Sequence, residues 1–418
     1  PRTSLPRITD LNPFAEKEKP LPGKRISILE QEKKIGELAP ALAPIALPPE
    51  RVNDVWSQPG GIYNNSPGHL VLQGLRAAWS QSIGTGSSSV SRLVASPIVY
   101  DGKVYTLDAE GLVAAFSTNG GSVVWKVSTT PKGEKGRKGF GGGIAAENGR
   151  IYAATGYGTL VALDARTGKT IWEKSFGIPF RTSPTAAQDK IFVVTAEGRL
   201  LCVSAADGAE LWSYRALPER ASLLSNVSPA VEGDLVVVAY PSGEVVAVKI
   251  ATGQLAWTES LSRTRTTSSF NALTDAARPV IDNGQVFAIG HGGRMIATSL
   301  KTGERLWSLS IPGAQPPWVA GESVFVADVT GQLMAISRKD GKIQWTTKLP
   351  GAKTWSGPIL ASGKLWLVSS TGKLVSVEAQ TGKLAQTHEV GAPLYIAPIV
   401  AGGRMYVLTD GGKLIAYN

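Results

Sequence analysis

Short apolar runs of four to six residues, rich in Val, Ile and Tyr and separated by DG, EG and GG pairs, recur along most of the chain; SPIVYDGKVYTLDAEGLVAAFSTNGGSVVWKV holds four of them. Runs of this length between glycine turns predict strands joined by hairpins, because glycine enters the positive-φ region of a tight turn without steric cost. No segment shows a helical period of comparable length. The unit then repeats. Pro97 to Trp125, Pro184 to Trp212, Pro229 to Trp257, Pro279 to Trp307, Pro317 to Trp345 and Pro358 to Gln386 are each separated by 28 positions, and Gly143 to Trp172 by 29. A Gly stands four positions before each closing Trp or Gln, and another fourteen before it.

Four antiparallel strands per roughly 40 to 50 residues, repeated radially, predict the blades of a propeller. Seven full units occupy residues 97 to 390, and an eighth opens at Pro398 but stops at TDGGKLIAYN, one strand short. Upstream, GLRAAWSQSI places Trp79 in a strand-like run, with Leu75 where the other units have Gly. A strand arriving from the far end of the chain needs no hairpin turn. The predicted fold is therefore all-β: an eight-bladed β-propeller with four-stranded antiparallel blades, in which the strand at 75–83 completes the blade formed by 397–418. The series Trp79, Trp125, Trp172, Trp212, Trp257, Trp307 and Trp345 is expected to fill the gaps between neighbouring blades.

Residues 1–50 read differently and are expected to be a disordered or extended tether ahead of a propeller spanning 51–418. DLNPFAEKEKPLPGKR is Pro-rich and charged, ELAPALAPIALPPE favours extended geometry, and RISILEQEKKIGEL between them suits a short amphipathic helix. No apolar run reaches the length of a membrane span.

At 418 residues and 43% apolar, the chain can bury a large core. The single Cys202 sits in a strand-like run and reads as a small buried hydrophobe; one cysteine makes no intrachain disulfide. The net charge of +10 is spread through turns and tether, with one cluster at Lys132, Lys135, Arg137 and Lys138, which reads as a solvated loop. No aromatic residues for base stacking accompany it, which argues against nucleic acid. His69, His291 and His388 lack metal-ligand spacing and read as surface or turn residues. GFGGG at 139–143 precedes no helix, and TGKT at 167–170 is a hairpin that recurs as TGKL at 381–384, so neither is a phosphate loop. No catalytic, cofactor or metal residues are assigned, and an enzyme is not expected.

Connections between blades vary more than twofold in length while turns within blades hardly change, and variable loops on a rigid scaffold are where binding concentrates. The connections SYRALPERASLLSNVSP and TESLSRTRTTSSFNALTDAARP are long and adjacent. They bring Arg220, Leu223 and Leu224 beside Arg263, Arg265, Phe270, Asp275 and Arg278, apolar anchors rimmed by arginine that suit a protein-binding patch.

The repeated TG-x-x-x-W turn and strand, the SP-x-V blade openings and the closing N-terminal strand resemble the PQQ-like repeat propeller family over about residues 75–418. Within it, LNPFAEKEKPLPGKRISIL and VNDVWSQPGG are similar to the N-terminal regions of the BamB group of outer-membrane β-barrel assembly lipoproteins. The resemblance implies a non-enzymatic periplasmic scaffold at the inner face of the outer membrane. It implies a lipidated cysteine upstream of Pro1, and binding to the periplasmic domains of the insertion protein BamA. The family's Leu/Arg contact cluster matches Leu223 and Leu224, although Ser225 stands where an Arg is expected, with Arg220 on the other side. Its acidic position matches Asp275 alone. Whether unfolded outer-membrane proteins are a further partner, by strand addition at an outer blade edge, is left open by the sequence. Two alternatives stay open: a quinoprotein dehydrogenase using pyrroloquinoline quinone and calcium, and a propeller adaptor for another periplasmic protein. Against the dehydrogenase, one cysteine cannot form the adjacent-Cys disulfide on which such enzymes commonly stack the quinone.

Overall fold

The computed structural model describes residues 44–134, 139–215, 228–261, 277–351 and 354–418. Their strands form eight four-stranded antiparallel sheets. In chain order the first strands of the blades are Ile98–Tyr100, Gly142–Glu147, Thr185–Ala187, Ala230–Glu232, Val280–Asp282, Trp318–Ala320, Trp355–Ala361 and Ile399–Ala401. First strands of successive blades touch one another around the ring, so they line the axis and the fourth strands form the rim. Six of the eight first strands are only three residues long, shorter than the apolar runs that predict them. The proline that opens most blades cannot donate to the ladder, so pairing begins after it.

The middle strands are buried along their length, as in Leu112–Ser117 and Glu244–Lys249, because each blade is covered on both faces by its neighbours. Rim strands such as Val123–Ser128 bury the Trp and leave most other positions to solvent. The β-branched and aromatic content of these runs suits a surface packed against cross-strand partners.

The ring closes as the sequence predicts. Ala77–Ser82 pairs antiparallel with Lys413–Tyr417, with Ala77 opposite Tyr417 and Trp79 opposite Ala416, and so supplies the rim strand of blade eight.

Neighbouring blades are joined by one repeated contact. Each rim Trp lies on the turn glycine of the next blade: a Cβ built on Gly168, Gly208, Gly253, Gly303, Gly341 or Gly382 would come within 2.6–2.9 Å of the indole of Trp125, Trp172, Trp212, Trp257, Trp307 or Trp345. The indole N–H donates to a backbone carbonyl just ahead of that turn, at 2.6–3.0 Å in these six pairs. The glycine thus serves the turn, at positive φ, and also provides a flat seat for the ring. At the one boundary without a Trp, between blades seven and eight, Gln386 is exposed and His388 meets the ring of Tyr417 edge-on, with centroids 5.5 Å apart.

Residues 51–73 form no blade of their own. They run once around the inner strands on one face, touching the blades in order. Asn53 O accepts from Gly402 N of blade eight at 2.6 Å, and Trp56 exchanges two 2.8 Å backbone bonds with Val99 of blade one. Ser57 O accepts from Ala146 N of blade two, and the Gln58 side chain both donates to and accepts from the backbone of Ala186 in blade three. Tyr63 O and Asn64 O accept from Val231 N and Ile281 N of blades four and five. Gly68 O takes the indole N–H of Trp318 in blade six, Leu70 pairs with Leu360 and Ser362 in blade seven, and Gln73 N returns to Gly403 O in blade eight. The inner edge of each first strand would otherwise present unpaired backbone groups. In seven of the eight blades the clasp pairs with backbone groups at or just past that edge, and in blade six it takes the Trp318 indole instead.

His69 belongs to the clasp, which corrects its expected surface or turn position. It is buried, accepts from Gly363 N at Nε2 (2.9 Å) and so donates from Nδ1 to Pro48 O (2.7 Å). His291 is exposed in a turn. Cys202 is fully buried, and burial pushes its thiol up to about 12.

Candidate functional site

In a four-stranded meander the fourth strand ends at the same edge where the first strand begins. All connections between blades therefore emerge on one face of the disc, and the clasp, which pairs near the ends of the first strands, lies on the other. The connections from Arg215 to Ala230 and from Ser260 to Val280 leave neighbouring blades on that connection face. Their stems are anchored: Leu261 is buried with its N–H on Gly243 O, Ala277 N reaches Ile289 O at 3.3 Å, and Ser228 is buried. Arg220, Leu223, Leu224, Arg263, Arg265, Phe270 and Asp275 lie outside the described residues, as do Lys135, Arg137 and Lys138 of the basic cluster.

Arg278 is described, and it does not stand on an exposed rim. It is half-buried directly ahead of Pro279, where the first strand of blade five begins, and faces the axis. Ser96, Ser183, Ser228, Pro316, Gly357 and Ala397 occupy the matching place in other blades, so one blade alone puts a cation there. Burial lowers its guanidinium pKa to about 10. Around it lie two small cavities, of about 20 and 30 Å³, bounded on the clasp side by Gly60 and Asn65 and by Trp56 and Pro59. Each has room for a water or two.

Sequence reasoning missed the clasp residues that close the axis: Asn53, Trp56, Gln58 and Asn65, all buried. Their signal was available as a Trp outside the blade register followed by amides in VNDVWSQPGGIYNN, but no repeat marks it.

A quinone fits poorly here. Drug-sized ligands fill cavities of several hundred Å³, whereas Trp56 stacks on Trp318 (centroids 6.1 Å apart) across the axial space beside Arg278. Among the described residues, no group of three or more His, Cys, Asp or Glu side chains gathers to hold a metal ion. Cys202 lies inside a blade, away from the axis. Nor is any helix among them long and apolar enough to cross a membrane.

An eight-bladed ring closed by its N-terminal strand, with a rim Trp on each turn glycine, defines a propeller of the PQQ-like repeat type. The chain belongs to the family of the outer membrane protein assembly factor BamB, whose profile matches residues 109–347 and 348–418. BamB of Nitrosomonas eutropha is 24% identical over 51% of this chain and 50% of that protein. The chain spans only about half to three fifths of the first curated relatives it matches. Among solved structures, BamB from Moraxella catarrhalis superposes with a TM-score of 0.73 at 18% identity, covering 82% of this chain and 99% of that one. A quinohemoprotein alcohol dehydrogenase from Pseudomonas putida reaches 0.69 at 15% identity, over 87% and 80%. Both structural likenesses concern the fold alone.

Proposed function

We propose that this protein is a non-enzymatic scaffold of the outer-membrane β-barrel assembly machinery, held on the periplasmic side of the outer membrane. Its connection face docks the periplasmic domains of a BamA-type insertion protein. The observation that carries the reading is the division of labour between the two faces. The clasp covers one, while the two long connections after blades three and four leave anchored stems side by side on the other. A rigid platform limits the entropy lost on docking. Leu223 and Leu224 are the apolar anchors, and Arg220, Arg263, Arg265 and Asp275 supply the surrounding charge. Family membership supports the assembly role, and the small axial cavities weigh against a quinone enzyme.

The test is capture of purified BamA periplasmic domains by the full chain and by its Leu223→Ala/Leu224→Ala variant. Loss of two central apolar anchors should weaken binding about tenfold or more, with the far-UV spectrum unchanged. Equal capture by both proteins removes these loops as the docking site.

A further inference from the structure

Two hydrogen-bond donors, from Trp56 and Arg278, line the axial space and have no acceptor among the described residues. The indole Nε1–H of Trp56 is fully covered and has no partner among the described residues. Arg278 lines the same cavity, and no carboxylate among the described residues pairs with it. An unanswered buried donor is costly, and a partly covered guanidinium without a counter-charge adds to that cost. At the matching places other blades carry Ser, Pro, Gly or Ala.

The surroundings narrow the ligand. Ile359, Ile396 and Ile399 make the rest of the wall largely apolar, so a charge entering there is stripped of water and is held by those two donors. At about 30 Å³ the space takes a small head group and excludes a sugar, a nucleotide or a quinone. The floor is clasp, while Ser96, Gln315 and Ala397 precede first strands, so the entrance points to the connection face. A planar carboxylate answers both donors at once, accepting from the indole N–H and from the guanidinium fork.

We propose that the axial pocket between Trp56 and Arg278 is a carboxylate-binding site, entered from the connection face. The carboxylate comes either from a free small acid or from an Asp or Glu side chain of a docked protein; the recognition is the same.

The experiment follows the Trp56 indole N–H resonance of the full ¹⁵N-tryptophan-labelled chain, assigned by its loss in Trp56→Phe. Sodium acetate and a capped Gly-Asp-Gly peptide are titrated separately, with sodium chloride as the control at equal ionic strength. A saturable shift with a carboxylate, absent with chloride and weakened about tenfold or more in Arg278→Gln, is expected; such a loss corresponds to one charge-assisted hydrogen bond. Arg278→Lys, which keeps the charge but not the fork, should bind with intermediate affinity. Tighter binding of the peptide identifies a protein side chain as the source, and tighter binding of acetate a free acid. No shift with either carboxylate, an equal shift with chloride, or undiminished binding in a folded Arg278→Gln protein overturns the site.

Discussion

The indole of Trp79 lies on Gly121, and its N–H donates to Thr118 O at 3.1 Å, so the strand from one end of the chain is locked onto the first blade formed after it. Arg404 of blade eight donates to the same carbonyl. Closure of the ring thus rests on two bonds of different kind: a strand ladder inside blade eight and an aromatic seat between blades eight and one.

Gly121→Ala should test that seat. Its φ of +74° is costly for alanine, about 1–2 kcal/mol, and the new methyl would also run into the indole, adding about 1–3 kcal/mol of overpacking. Gly102→Ala has a φ of +67° with nothing within 4 Å, so it carries the backbone cost alone. Urea denaturation should show the first variant clearly less stable than the second; equal losses would mean that the indole does not depend on the glycine.

The clasp makes its own forecast. Gln58 is 1% exposed and answers both backbone groups of Ala186, at 2.9 and 3.0 Å. Gln58→Ala leaves a buried N–H and C=O unpaired, a loss of about 2–4 kcal/mol. Limited proteolysis of this variant should cut within 51–73 well before the blades, whereas the parent resists there. A variant cut at the parent's rate would show that the clasp is held by other contacts.

Cys202 reports on global opening. Its thiol is fully buried in the blade-three sheet and shifted up to about 12, so the native protein should not react with a disulfide reagent at pH 8, and reaction should appear only with unfolding. The sign of the linked effect is fixed by the same shift. The neutral thiol is favoured in the folded state, so its contribution to stability is complete below the unfolded value of about 8.5 and is lost as pH rises through about 12. Fast labelling at pH 8 without denaturant would contradict the burial.

Much of the propeller was legible because each blade repeats the same local demands: a turn that only glycine enters easily, a β-branched run that packs on two faces, and one large aromatic at a set register. The closing strand was legible for a related reason, through Leu75 standing where a glycine recurs elsewhere. That departure has a second meaning in the structure. The glycine is also the seat for the preceding blade's Trp, and the boundary that lacks the glycine is the one where Gln386 replaces the Trp and His388 meets Tyr417 instead.

The clasp and the axial donors were not legible in this way. Most of the clasp's bonds are made by backbone groups, which leave no residue signature, and its partners are inner edges that exist only once the ring has formed. Arg278 read as part of a surface patch because it ends a long connection; its direction is set by the proline that follows and by the convergence of first strands on the axis.

By itself, the sequence determined the number of blades, the order of their strands and the place where the ring is joined, since turn chemistry and side-chain periodicity act over a few residues and repeat. Tertiary structure alone decided that residues 51–73 encircle the inner strands and that Trp56 and Arg278 face one space. Those relations depend on groups from distant parts of the chain converging at the axis, and nothing in local propensity encodes convergence.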